Sequence, residues 1–103
     1  MSGDAALCRL DELRDGEVRE VSAGLIAWRS AGEVRVFANR CPHFGIPLNF
    51  EPGVFKLHGG LLMCVHHYSY FSFPQGLCVS GPCEGEALES VAIRIEDGTI
   101  YLE

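Results

Sequence analysis

The sequence predicts an antiparallel all-β domain, a sandwich or a small barrel. Three observations predict it. Short segments alternate apolar and charged residues, the period of a half-buried strand. Glycine and proline punctuate the chain, with twelve and five copies in 103 residues. No stretch sustains the 3.6-residue repeat of an amphipathic helix. A chain of this length makes one domain, residues 1–103. Its core is modest, so a bound metal or a cross-link would add useful stability.

Taken in order, "ALCRL" (Ala6 to Leu10) reads as an apolar strand-like stretch in which Cys8 acts as a small buried hydrophobe. "LDELRDG" (Leu10 to Gly16) holds one helical turn. "EVREVSA" (Glu17 to Ala23) and "EVRVFAN" (Glu33 to Asn39) have strand alternation, and "GLIAWRS" lies between them with Trp28 as a core residue. Ser30-Ala31-Gly32 supplies a turn, so Gly24 to Asn39 reads as a hairpin. At the C-terminus, Val91, Ile93 and Ile95 point one way, Asp97-Gly98 turns, and Ile100 and Leu102 continue the apolar face.

The middle, residues 40–83, breaks this pattern. It contains every proline of the chain (Pro42, Pro47, Pro52, Pro74 and Pro82) and six glycines, the composition of rigid loops that fix a site before its ligand arrives. In its aromatic run, Phe71 and Phe73 share one strand face and Tyr68 and Tyr70 the other, so one pair belongs to the core.

The formal charge of −6 argues against nucleic acid or an anionic membrane as partner, since both need excess Lys and Arg. The start "MSGDAALCRLDEL" lacks a secretory signal, and the longest apolar runs, such as Leu61 to Val65, are too short to span a bilayer. A cytoplasmic protein with reduced cysteines is expected. Cys78 and Cys83, across "CVSGPC", are therefore read as two free thiols in preference to a disulfide. No Ser-His-Asp or paired-carboxylate constellation can be argued from spacing, so the chain is read as a non-enzyme.

The chemistry concentrates in Cys41-Pro42-His43 and Cys64-Val65-His66-His67. Thiolate and imidazole are borderline-soft ligands, and two of each suit tetrahedral zinc or iron–sulfur. One turn can aim both side chains of a Cys-x-His or Cys-x-x-His step at a common point. The spacer from Phe44 to Met63 allows a strand out and a strand back, so that the two turns face each other.

"CPH", then "CVHH", Phe71, Gly76 and "SGPC" resemble the Rieske-type ferredoxins of the low-potential, ring-hydroxylating-oxygenase type. The opening "CRLDELRDGEVREV" and the ending from Glu96 to Tyr101 are also similar to that family, so the likeness covers nearly the whole chain. The resemblance implies a cluster-binding subdomain of two loops and one [2Fe-2S] cluster per chain. Cys41 and Cys64 would hold one iron, and His43 and His67 the other. Ser69 would donate a hydrogen bond to sulfur, and Gly81 and Pro82 would form the covering loop. It further implies a one-electron carrier. The carrier would take an electron from an NAD(P)H-dependent flavin reductase and deliver it to the terminal oxygenase of an aromatic-ring dioxygenase or a related system.

Two neutral imidazoles in place of thiolates leave the site uncharged when oxidised and singly negative when reduced, which lifts its potential above that of a four-cysteine cluster. The extra bridged cysteines of the respiratory type are replaced here by Ile46 and His66, and its tyrosine donor by Phe71. A centre near the bottom of the Rieske range follows, about −150 mV or somewhat higher because of Ser69.

Some features depart from the family pattern. Tyr68 stands where glycine follows the second histidine, and either shields the cluster or forces a different turn. The long spacer, with its turn from Glu51 to Gly53, implies an enlarged first loop. His66 is read as projecting into solvent and His58 as structural or exposed. The alternatives are a small redox subunit of another system, such as nitrite reductase, or a zinc-stabilised Cys2His2 interaction module. Between Cys41 and Cys83 the only charges are Glu51 and Lys56, which cancel, while Glu84, Glu86 and Glu89 follow at once. An uncharged tip with an acidic collar suits transient docking.

Overall fold

The computed structural model describes residues 6–22, 24–30, 32–42, 45–49, 51, 53–66 and 68–103. His43, His67, Phe44, Phe50, Pro52, Ala23 and Ala31 lie outside the described residues. The described residues form three antiparallel sheets. The first orders β1 (Ala6–Arg9), β11 (Thr99–Leu102) and β10 (Ile93–Glu96). The second orders β2 (Val18–Ser22), β3 (Leu25–Ser30), β4 (Glu33–Ala38) and β9 (Ser90–Val91). The third orders β5 (Lys56–His58), β6 (Leu61–Met63), β7 (Tyr70–Ser72) and β8 (Leu77–Ser80). Among the described residues no helix is long and apolar enough to cross a membrane.

Alternation along β3 and β4 explains the layering. Ile26 pairs with Phe37 and Ala27 with Val36, and successive pairs face opposite sides of the sheet. Ala27 and Val36 join Leu13 and Ile100 in one core, against the first sheet. Ile26 and Phe37 join Leu48, Leu62, Phe71 and Leu88 in the other, against the third sheet and its loops. The second sheet is thus covered on both faces, which a two-layer sandwich does not provide. All four of these central residues are about 1% exposed.

Most expected elements form. The helical turn is a 3-10 turn, Leu10–Glu12, held by the Arg9 N–H donating to Glu12 Oε1 at 2.8 Å. Arg29 ties it to β3 by donating to the Leu10 and Leu13 carbonyls. At the C-terminal hairpin, Asp97 (φ 51) and Gly98 (φ 78) both adopt the left-handed conformation that matches strand twist. The apolar run before it is divided, however. Val91 pairs with Val36 in the second sheet, whereas Ile93 to Glu96 pair with β11 in the first, so the chain changes sheet at Ala92.

Trp28 is half-buried, stacked on Phe73 with ring centroids 5.1 Å apart, and is not a full core residue. Phe73 in turn touches Phe37 at 5.7 Å, while Phe71 is fully buried. The Phe71 and Phe73 pair is therefore the inward one, and Tyr68 is exposed.

Candidate metal centre

Two loops carry the cysteines, and their backbones repeat. In the first, the Cys41 N–H donates to the Ile46 carbonyl (2.7 Å), and the Gly45 N–H donates to the Cys41 carbonyl (2.8 Å). In the second, the Cys64 N–H donates to the Ser69 carbonyl (2.8 Å), and the Tyr68 N–H donates to the Cys64 carbonyl (2.8 Å). Each loop thus closes by the same two bonds, counted from its cysteine. The fourth residue after each cysteine has positive φ, 70° at Gly45 and 59° at Tyr68. Tyr68 consequently preserves the turn, and its side chain, 65% exposed, leaves the site.

The loops are fastened together. The Val65 N–H donates to the Leu48 carbonyl at 3.0 Å. Asn39 braces the first loop, accepting from the Leu48 N–H and donating to Asn49 Oδ1, both at 2.9 Å. Further along that loop the Val54 N–H closes a turn on the Glu51 carbonyl, where the long spacer predicts one. Cys41 and Cys64 are fully buried in one apolar cluster with Leu48, Leu62 and Phe71.

A third segment lies over the second loop. At Gly81 (φ 106), an added Cβ would meet Ser69 Cα at 2.7 Å and Ser69 Oγ at 2.9 Å. Glycine is required there by contact as well as by conformation. Ser69 itself is fully buried, and its hydroxyl has no hydrogen-bond partner among the described residues. An unsatisfied buried hydroxyl costs about 1–3 kcal/mol and calls for an acceptor that the described residues do not supply.

The sequence model of the Rieske [2Fe-2S] domain matches residues 4–94. The chain belongs to the Rieske family. Its cofactor is accordingly a Rieske-type [2Fe-2S] cluster, and the described residues of the site fit it: two buried thiols on matched loops, and a buried hydroxyl with no acceptor among the described residues. The chain is similar to human apoptosis-inducing factor 3, 29% identical over 102 residues, which are 96% of this chain and 16% of the human protein. It thus spans about a sixth of that relative's length. Among solved structures it is similar to a chain of the reduced complex between oxygenase and ferredoxin in carbazole 1,9a-dioxygenase. The TM-score is 0.75 at 16% identity, covering 96% of this chain and 27% of that one. A chain of the complex of reduced oxygenase and oxidised ferredoxin of the same system gives 0.72 at 20% identity, covering 96% and 91%. At these identities the structures share the Rieske fold.

The other cysteines and histidines sort as follows. None of the five cysteines, all of them among the described residues, forms a disulfide. Cys78 and Cys83 do not face each other: the Cys78 thiol donates to the Ser80 carbonyl at 3.2 Å, whereas Cys83 Sγ lies 3.0 Å from Cys41 Sγ. Sequence spacing missed this second contact, because it joins residues 42 positions apart. Cys8 packs at the edge of the other core; burial pushes its thiol pKa up from 9.0, Glu12 adds to the rise, and Arg19 opposes it. His66 is half-buried, not in open solvent, because its loop folds back on the Cys64 carbonyl. His58 is exposed, with its ring centroid 6.3 Å from that of Tyr70. The predicted ligands His43 and His67 lie outside the described residues.

Proposed function

We propose that this Rieske chain is a one-electron carrier whose cluster is held by Cys41 and Cys64 on one iron and by His43 and His67 on the other. The observation that carries the assignment is the repeated loop: each cysteine begins a turn with the same two backbone bonds and the same left-handed fourth residue. Cys41 and Cys64 thereby occupy equivalent places, as two ligands of one metal would. The histidines follow at the second and third positions of their turns, inside the segments that these bonds close. When bound, the cluster supplies one reversible electron step with little change in shape.

The chain's own residues hold the cysteines dry, point the Ser69 hydroxyl inward, and cover the second loop with Gly81 and Pro82. Pre-bonded loops of this kind need little rearrangement between redox states, which suits rapid transfer.

The electron comes from an NAD(P)H-dependent flavin reductase and passes to a terminal oxygenase, in the cytoplasm and without catalysis by this chain. Structural similarity to chains from oxygenase–ferredoxin complexes supports this reading. Glu84, Glu86 and Glu89 are exposed on the segment that follows the covering loop, and an acidic rim beside a nearly uncharged tip favours brief, steered encounters. Stopped-flow reduction by such a reductase tests the assignment. Lys at all three glutamates slows the second-order rate at low salt, and the difference fades as salt rises. A rate that is unaffected by the triple reversal contradicts the docking face.

A further inference from the structure

We propose that the Cys83 thiol donates a hydrogen bond to the Cys41 sulfur and so raises the reduction potential of the centre; the inference rests on Cys41 being an iron ligand. Cys83 Sγ and Cys41 Sγ are 3.0 Å apart, and both residues are 0% exposed. At that distance one proton lies between the sulfurs. An iron-bound cysteine is a thiolate and has none to give, so the donor is Cys83 and the acceptor is Cys41.

The donor is held in place by its own loop. The Glu86 N–H donates to the Cys83 carbonyl (2.9 Å), the Glu84 N–H to the Gly81 carbonyl (3.1 Å), and the Gly85 N–H to the Cys78 carbonyl (3.1 Å). Gly81 seats the same loop against Ser69. Of the three cysteines that are not proposed ligands, Cys78 is engaged by the Ser80 carbonyl and Cys8 lies in the other core. Cys83 alone faces a ligand sulfur. Because water is excluded, a bond to a charged sulfur acts at low dielectric. Added negative charge strengthens it, so it favours the reduced state, and hydrogen bonds to sulfur are an established lever on such potentials. The proton stays on Cys83 throughout.

The test compares purified, cluster-loaded wild type with Cys83→Ala and Cys83→Ser in redox titrations followed by electron paramagnetic resonance. Alanine and serine are nearly the same size and differ in the donor. Cys83→Ala should lower the equilibrium constant for reduction about tenfold, a shift of about 59 mV to more negative potential for one electron. Cys83→Ser should remain close to wild type. A Cys83→Ala midpoint equal to wild type, or alanine and serine midpoints that move together, overturns the proposal. Failure of both variants to hold a cluster overturns it too, since a donor that only tunes potential is dispensable for loading. The rhombic spectrum of wild type reports on the four ligands, and the alanine–serine difference on Cys83 alone.

Discussion

Gly81 lies so close to Ser69 that a single methyl group does not fit between them: a Cβ at residue 81 would be 2.7 Å from Ser69 Cα. The covering loop and the second cysteine loop are therefore one packed unit. Gly81→Ala combines this clash with a left-handed backbone at φ 106. It should destabilise the cluster-loaded protein by about 1–3 kcal/mol, measured by denaturant unfolding followed in the visible band. An unchanged midpoint contradicts the packing.

Ser69→Ala should act with opposite signs in the two forms of the protein. In the iron-free chain it removes a buried hydroxyl that has no partner among the described residues, so stability is unchanged or slightly improved. In the loaded protein it deletes a donor to a charged group, worth about 1.5 kcal/mol, and lowers the midpoint potential by roughly 60 mV. Equal behaviour in both forms would show that the hydroxyl does not face the cluster.

Tyr68→Gly should stabilise the fold. A side chain in the left-handed region costs about 1–2 kcal/mol, offset by about 0.5–1 kcal/mol of glycine chain entropy. The ring is 65% exposed, so little packing is lost. A net gain of roughly 0.5–1 kcal/mol in denaturant unfolding is expected, with the visible spectrum unaltered. A loss of stability would show that the tyrosine ring makes contacts that its exposure does not suggest.

Cys8 gives a pH dependence. Its thiol pKa is raised in the folded state, chiefly by burial. The neutral thiol is thus favoured by folding, and its contribution is fully present below the unfolded value of 9.0 and lost as pH rises through the folded value above it. Cys8→Ala should make the decline of stability above pH 9.0 shallower than in wild type, as followed by urea midpoints; parallel declines contradict the shift.

Much of this was legible in the sequence, for local reasons. The hairpins from Gly24 to Asn39 and around Asp97-Gly98 rest on alternation and turn chemistry, which need no distant partner. The sheet change at Ala92 was not legible, since Val91 and Ile93 carry the same apolar signal while Val36 and Leu102 claim them. The double-sided burial of β3 and β4 was likewise hidden, because the run of apolar residues in "GLIAWRS" does not say which sheet covers Ile26 and which covers Ala27. At the site, the paired Cys-x-His and Cys-x-x-His spacings point to zinc or iron–sulfur, and the resemblance to the Rieske family selects iron–sulfur. The Cys83 contact with Cys41 depends on how the covering loop closes, which no local pattern encodes.

The most direct test is electron paramagnetic resonance of the dithionite-reduced protein, purified anaerobically from iron-replete cells, with iron and acid-labile sulfide assayed on the same sample. The account predicts about two irons and two sulfides per chain and the low-average-g rhombic signal of a histidine-ligated cluster. Cys41→Ala or His67→Ala should abolish that signal, and His66→Ala should retain it. A colourless, silent protein that instead holds one zinc, or a wild-type signal surviving in His67→Ala, contradicts the proposed centre.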